Sequence, residues 1–190
     1  MYCYLPITPK LIDNKQDQST PGGWAEVLKY CERPELKDIF VENDYLIIQI
    51  DSDQSQTKPF DVSHTNKNNK TKTVEELHKD VMEKLTALIQ PQIWAAYSDK
   101  IYFAICIHTI ECWLLPIYYS GKKKINPSNC IKSLNTELSK DNLDIIPLKE
   151  KNNPQGVKAY DGVLKNWKRK QDIIDSAQYD AAFKKFIDSL

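Results

Sequence analysis

The sequence predicts an α/β domain with a mostly parallel central sheet, flanked by helices and followed by a C-terminal helical extension. Three short apolar runs, 2–7, 45–50 and 100–107, have the length and composition of strands. The segments between and after them carry apolar residues at helical spacing, as 74–88 does. Because strands alternate with helices along the chain, we expect βαβ units, in which consecutive strands run parallel.

Proline and turn residues bound the elements before the second strand. Pro6 and Pro9 close the first strand, and the polar segment 10–23 is typical of an exposed loop. Apolar residues at helical spacing over 24–31 predict a helix that ends at or just before Pro34. The second strand then follows, apolar almost throughout, as expected of a central parallel strand.

The region after the second strand begins with a long polar segment, 53–72, that has no apolar periodicity. We interpret it as either a mobile loop or a flap that faces a substrate. Thr73, with Glu76 three residues later, forms a capping-box signature that begins an amphipathic helix. The chain after the third strand has helical patterns. We therefore expect an α/β domain over 1–119 and a helical extension over 120–190 packed on it.

Composition limits the classes of protein that the chain can belong to. Its net charge is zero, and no apolar run approaches the roughly 18 residues of a membrane span, so we expect a soluble protein whose attraction to nucleic acid is local. Residues 1–6 lack the length and the basic lead of a signal peptide. Five cysteines without a Cys-x-x-Cys pair favour reduced thiols in the cytoplasm and argue against structural zinc. The sequence also has no phosphate-binding glycine loop and no Gly-x-Ser-x-Gly motif.

Two carboxylates, Asp51 and Asp53, come directly after the second strand. Residues i and i+2 of an extended chain point to the same side, so the two side chains converge beyond the carboxyl end of that strand. Ligands of open α/β sheets bind at this edge, and paired carboxylates favour Mg²⁺ or Mn²⁺ over zinc. The alternative is that Asp51, Ser52 and Asp53 supply only turn and N-cap chemistry.

Glu111 is a single acid inside an apolar run that follows the third strand. Burying it ionised and unpaired would be costly, so it must face solvent, pair with a cation or coordinate a metal. We predict that it joins Asp51 and Asp53 in one catalytic, metal-binding cluster; alternatively, it complements the dipole at a helix start. His108 is a further candidate catalytic residue, as a phosphate contact beside this cluster; alternatively, it is a satisfied polar group at a strand end. The stretch from His108 resembles an inverted zinc-protease motif, but Cys112 stands where a second His is required, so we discount zinc proteolysis.

Two basic clusters follow the third strand. One comes after paired tyrosines, and the other surrounds a tryptophan. Such clusters are commonly solvated faces, but basic residues mixed with aromatic ones beside an acidic metal site also suit a nucleic-acid groove. The candidate nucleic-acid contacts are Lys122, Lys123, Lys124, Lys168, Arg169 and Lys170.

A strand that ends in Asp-x-Asp within a small parallel α/β domain resembles the Toprim fold of topoisomerases, primases and nucleases of bacterial defence systems. The later stretch 108–115, His-x-x-Glu-Cys-Trp-Leu-Leu, is similar to the Glu-x-Trp-Leu signature of standalone Toprim-like proteins in phage-defence loci. These include retron-associated effectors and relatives of overcoming-lysogenization-defect nucleases. The resemblance covers about 2–119 and leaves the helical tail without motifs of its own.

This resemblance implies a site in which Asp51 and Asp53 bind Mg²⁺ or Mn²⁺ and Glu111 is the additional acid. Family members also carry a Glu at the end of the first strand, whereas no acid follows that strand here before Asp13. Two functions therefore stay open. One is a metal-dependent nuclease that cleaves DNA or RNA in antiphage defence. The other is a non-catalytic interaction or regulatory subunit, paired with a protein such as an ATPase or a reverse transcriptase.

Overall fold

The structure is a computed structural model of the chain, and it describes five stretches of it. These are the backbone of residues 2–5 and the residues 23–119, 129–147, 154–165 and 169–190. Within these stretches the protein has an α/β fold, in which three strands form one sheet and helices pack around it. Most of the predicted loop 10–23 lies outside the described residues.

The strands and helices of the described residues are numbered in chain order. They are β1 (Tyr2–Leu5), α1 (Trp24–Glu32), α2 (Ile39–Glu42), β2 (Tyr45–Asp51), α3 (Val74–Leu88), α4 (Pro91–Tyr97), β3 (Ile101–Cys106), α5 (Glu111–Leu114), α6 (Cys130–Lys140), α7 (Pro154–Leu164), α8 (Lys170–Ala177) and α9 (Ala181–Ser189). Short 3-10 segments lie at Pro34–Asp38, Ser98–Lys100 and Leu115–Ile117. None of these helices combines the length and the apolar character that a membrane span needs.

The three strands are parallel and lie side by side in the order β1, β2, β3. This confirms the predicted parallel sheet. In the central strand β2, residues 46–50 are buried apart from the half-buried Gln49, as expected of a strand with a neighbour on each side. Because all three strands run in the same direction, their carboxyl ends share one edge of the sheet. Asp51 lies opposite Cys106 at that edge.

Helix α3 begins where the sequence predicts. Thr73 Oγ1 accepts a hydrogen bond from the Glu76 amide at 3.2 Å, and Glu76 Oε2 accepts one from the Thr73 amide at 2.8 Å. The predicted capping box is therefore confirmed. The sequence pattern does not predict α4, which is seven residues long and begins at Pro91. Proline is favourable there because the N–H groups of the first helical turn have no acceptor within the helix, so proline's lack of an N–H costs no hydrogen bond.

One hydrophobic cluster joins the sheet to α1, α3 and α9. It contains Leu46 and Ile48 of β2, Ile105 of β3 and Phe183 of α9, all buried. Trp113 of α5 stacks on Phe183, with ring centroids 4.6 Å apart. Removing a buried Leu or Ile from such a cluster typically costs about 2–5 kcal/mol. The last helix is therefore part of the core that holds the sheet.

A second hydrophobic cluster lies in the helical extension and reaches back to α5. Leu134 and Leu138 of α6 and Val163 of α7 are fully buried in it. The extension thus has a small core of its own and also contributes α9 to the core of the sheet. The division into domains 1–119 and 120–190 stays a prediction.

The expectation that the thiols are reduced is wrong for two of the five cysteines. Cys112 of α5 and Cys130 of α6 form a disulfide, with Cα atoms 5.0 Å apart. The pair is 18 residues apart in sequence and meets because α6 packs against α5 in the second cluster. Spacing alone could not reveal this contact. Cys31 and Cys106 are buried free thiols, and burial raises the pKa of Cys31 to about 12.

Candidate functional site

The carboxyl ends of β2 and β3 are joined beyond the last residues of the strands. The Ser52 amide donates to the Cys106 carbonyl at 3.0 Å, and the Asp53 amide donates to the His108 carbonyl at 3.0 Å. The hydroxyl of the buried Ser52 accepts a hydrogen bond from the His108 amide at 2.9 Å. These bonds fix the backbone from which the side chains of Asp51 and Asp53 project.

Asp51 and Asp53 both line one cavity of about 170 Å³. Gln49 lines it as well, at the same alternating spacing, whereas Ser52 between the two acids is fully buried. The N-terminal turn of α1 forms another part of the wall. The two carboxylates therefore share a cavity at the carboxyl edge of the sheet, beside the positive end of a helix dipole.

The two carboxylates differ in how firmly they are held. Asp51 Oδ1 accepts hydrogen bonds from the Ile110 amide at 3.1 Å and from Gln49 Nε2 at 3.0 Å. Asp53 is exposed, and its Oδ2 lies 3.4 Å from Gln54 Nε2. The pair thus combines one oriented carboxylate with one that faces solvent.

His108 connects to this edge through its backbone. Its φ is +71°, in the left-handed region that residues other than glycine rarely adopt. The hydrogen bonds with Ser52 and Asp53 hold its backbone in this conformation, and its side chain is exposed. Its predicted contact with a phosphate stays a prediction.

Glu111 begins α5 and is 0% exposed. Its Oε1 accepts a hydrogen bond from the hydroxyl of Tyr160, on α7, at 2.5 Å. Burial and the charge of Glu111 raise the pKa of Tyr160, so the phenol stays a neutral donor, and the charge of Asp51 acts in the same direction. Glu111 and Asp51 therefore lie near the same phenol, although Glu111 does not line the cavity of the aspartate pair.

Asp180 and Cys106 also belong to this edge. Asp180 caps α9, where its Oδ1 accepts a hydrogen bond from the Phe183 amide at 2.8 Å, and burial raises its pKa. Burial, followed by the charge of Asp51, raises the pKa of the Cys106 thiol well above its usual value, and the charge of Asp180 contributes. Cys106 is therefore a neutral thiol rather than a nucleophile.

The donor set at the cavity can be compared with what a metal ion requires. Within the described residues, no group of three or more His, Cys, Asp or Glu side chains is arranged to hold a metal ion. Asp51 and Asp53 nevertheless offer two carboxylates, and Mg²⁺ is often held by one or two carboxylates together with water and substrate phosphates. The pair fits an ion of this kind, and the predicted Mg²⁺ or Mn²⁺ site stays a prediction.

The predicted basic groove lies largely outside the described residues. Arg169 forms a salt bridge with Asp172 at 2.7 Å, and Lys170 is exposed at the start of α8. Nothing in the described part of the chain bears on the other four candidate contacts, Lys122, Lys123, Lys124 and Lys168.

Tyr160 and Asp180 are the residues at this edge that the sequence analysis missed. Asp180 has a local signal, because an Asp before an apolar helical segment is a typical N-cap. That signal does not reveal that α9 packs against β3. Tyr160 has no local signal, since its partner Glu111 is 49 residues away in sequence.

Comparison with known proteins does not assign the chain to a family. No protein-family model, curated protein or solved structure matches it. The class that the fold and the site define is an α/β protein whose parallel sheet carries a carboxylate pair at a cavity on its carboxyl edge.

Proposed function

We propose that the protein is a metal-dependent nuclease that cleaves DNA or RNA at Asp51 and Asp53 and acts in antiphage defence. The observation that carries the proposal is that both carboxylates line one cavity at the carboxyl edge of a parallel sheet. Ligands of open α/β sheets bind at that edge. A Toprim-like fold is part of the same proposal, supported by the parallel strands and by an Asp-x-Asp sequence that ends the central one.

The residues at the cavity suit phosphate chemistry. Asp51 and Asp53 would hold Mg²⁺ or Mn²⁺, and the ion would neutralise phosphate charge and activate water. Gln49 and the Ile110 amide orient Asp51, so this carboxylate needs little rearrangement to bind. The N-terminal turn of α1 presents the positive end of its dipole to a phosphate oxygen in the same cavity.

A cleavage assay tests the proposal directly. The parent protein is incubated with plasmid, single-stranded DNA, tRNA and total RNA, each with Mg²⁺ or Mn²⁺. Asp53→Ala should abolish cleavage, while Asp99→Ala removes an exposed carboxylate from the 3-10 segment before β3 and should leave it unchanged. Equal cleavage by the parent and Asp53→Ala would reject the site.

Metal binding is measured separately from activity. Titration calorimetry with Mn²⁺ should show weaker binding to Asp51→Asn than to the parent, because the substitution removes one anionic ligand while keeping the size of the side chain. Equal affinity would remove the metal from the proposal.

Glu111 favours a second candidate function, a non-catalytic interaction or regulatory subunit of a defence complex. Its side chain is buried against Tyr160 and does not line the cavity of the aspartate pair, although the Toprim resemblance implies an acid beside that pair. Such a subunit would pair with a protein such as an ATPase or a reverse transcriptase. If the parent cleaves no nucleic acid and causes no cellular toxicity, alone or with its genomic neighbours, this second function replaces the first.

A further inference from the structure

Residues 64–72 form a small hairpin in the long connection between β2 and α3. Thr65 and Thr71 pair in an antiparallel bridge, and the Lys72 amide donates to the His64 carbonyl at 2.9 Å. The segment predicted as a mobile loop or a substrate-facing flap thus contains a hydrogen-bonded hairpin.

The base of the hairpin is attached to the candidate site. His64 Nε2 lies 2.9 Å from the carbonyl oxygen of Ser52, the residue between the two aspartates, and 2.9 Å from Ser55 Oγ. Lys72 forms a salt bridge with Asp80 of α3, which holds the other strand of the hairpin. The hairpin is therefore anchored to both the site and a helix.

The tip of the hairpin is ordered by its own polar groups. Asn66 Oδ1 accepts hydrogen bonds from the Asn68 amide at 3.0 Å and from the Lys70 amide at 3.1 Å. Asn69 adopts a φ of +56°, which closes the turn, and its amide donates to the Asn66 carbonyl at 3.0 Å. These bonds present Lys67 and Lys70 from a fixed backbone, and both side chains are exposed.

The charge of this hairpin is positive in a chain whose net charge is zero. Residues 64–72 contain three lysines and no Asp or Glu. Lys72 forms its salt bridge with Asp80 of α3. The salt bridges of the described residues do not include Lys67 or Lys70. Two lysines are therefore available to an anionic partner.

The chain between His64, which contacts Ser52 beside the aspartate pair, and the lysines is short. Lys67 is three residues beyond His64, which corresponds to at most about 10 Å of extended chain. Phosphates of one strand of duplex DNA follow each other about every 3.4 Å along the axis. A strand that binds at the aspartate pair and extends towards the hairpin would therefore reach these lysines within several nucleotides.

We propose that the 64–72 hairpin is a nucleic-acid-binding arm, in which Lys67 and Lys70 contact the phosphate backbone of the strand bound at Asp51 and Asp53. This inference rests on the proposed nuclease function and names where its substrate is held. The fixed tip reduces the ordering cost of binding, because only the lysine side chains lose freedom.

The test measures how binding depends on salt. A fluorescent 20-nucleotide single strand and the matching duplex are titrated in EDTA at several salt concentrations, so that affinity is read without cleavage. The slope of log K against log salt is negative, and each lost phosphate contact makes it less steep by about 0.7 for a single strand and about 0.9 for a duplex. The slope of the double variant Lys67→Ala, Lys70→Ala should therefore be less steep than that of the parent by about 1.4 for the single strand and about 1.8 for the duplex.

Two matched variants serve as controls. The double variant Lys37→Ala, Lys100→Ala also removes two positive charges, but outside the hairpin. Lys37 lies in the 3-10 segment that contacts α4, and Lys100 directly precedes β3. This variant should keep the slope of the parent. Lys67→Arg, Lys70→Arg keeps the charge and should also keep the slope. An unchanged slope in the hairpin alanine variant, or an equal loss in the Lys37 and Lys100 variant, overturns the inference alone. A parent that binds neither probe at low salt also overturns the inference, whereas the cleavage assay with Mg²⁺ or Mn²⁺ decides the proposed function separately.

Discussion

The hydrogen bond between Tyr160 and Glu111 can be tested by removing one hydroxyl group. Tyr160→Phe keeps the ring that packs in the helical extension and deletes only the donor to Glu111 Oε1. Because Glu111 is 0% exposed, water cannot readily replace the lost hydrogen bond. The variant should therefore be less stable than the parent at neutral pH.

The size of the loss follows from the charge and burial of the acceptor. A hydrogen bond to a charged group contributes about 1.5–3 kcal/mol to the free energy of unfolding. For a chain of this length, each kcal/mol shifts the melting temperature by about 2–4 °C. The expected decrease is thus about 3–12 °C.

Urea unfolding of Tyr160→Phe, Glu111→Gln and the double variant forms a double-mutant cycle. The coupling energy should be about 1–3 kcal/mol, since the two groups contact each other directly. Tyr97→Phe is the control: Tyr97 stacks on Phe40, and its hydroxyl makes no hydrogen bond among those of the described residues, so its loss should stay within about 0.5 kcal/mol. A coupling energy below about 0.5 kcal/mol would refute the reasoning.

Three further predictions concern stability. Reducing the Cys112–Cys130 disulfide opens an 18-residue loop, so urea unfolding with dithiothreitol should show a free energy of unfolding lower by about 3 kcal/mol. Alkylation of both cysteines without prior reduction would contradict the disulfide. Burial and then the charge of Lys185 lower the pKa of His78 below 6.5, so stability should fall as the pH drops through this range, where the unfolded chain binds the proton more readily. Thermal unfolding of His78→Gln should show a smaller pH dependence between pH 5 and 7.5, and an equal dependence would count against His78. Burial raises the pKa of Asp180 above 3.8, so the ionised carboxylate makes the parent less stable at high pH. Asp180→Asn keeps the capping oxygen without the charge, so it should be at least as stable as the parent in thermal unfolding at pH 7.5 and should lose this advantage as the pH falls. Lower stability of the variant at pH 7.5 would contradict this cost of burial.

The parts of the fold that local chemistry determines could be predicted from the sequence. The apolar run at 45–50 forms the central strand β2, and Thr73 with Glu76 begins α3 as a capping box. Both signals lie within a few residues of the element that they specify. Helix α4 is short, and seven residues are too few for a periodic pattern to distinguish a helix from a connection.

In the candidate site, too, the features that depend on local sequence could be predicted and the long-range contacts could not. The shared direction of Asp51 and Asp53 follows from the two-residue period of a strand, and both line one cavity. The contact of Glu111 with Tyr160 and the arrival of Asp180 at the sheet edge depend on how the helical extension packs. No local pattern carries this information, because the partners are far apart in sequence.

The packing of Phe183 against the sheet has a consequence for how the chain folds while it is being synthesised. Phe183 is buried in the cluster that contains β2 and β3, yet it is made long after both strands have left the ribosome. At about 5–20 residues per second, the ribosome needs roughly 4–15 s to add the chain between β3 and this residue. During this interval the apolar side chains that α9 covers stay open to other nascent chains or to chaperones. Premature termination before α9 would therefore leave a chain that has all three strands but an incomplete core, and such a product would be prone to aggregation.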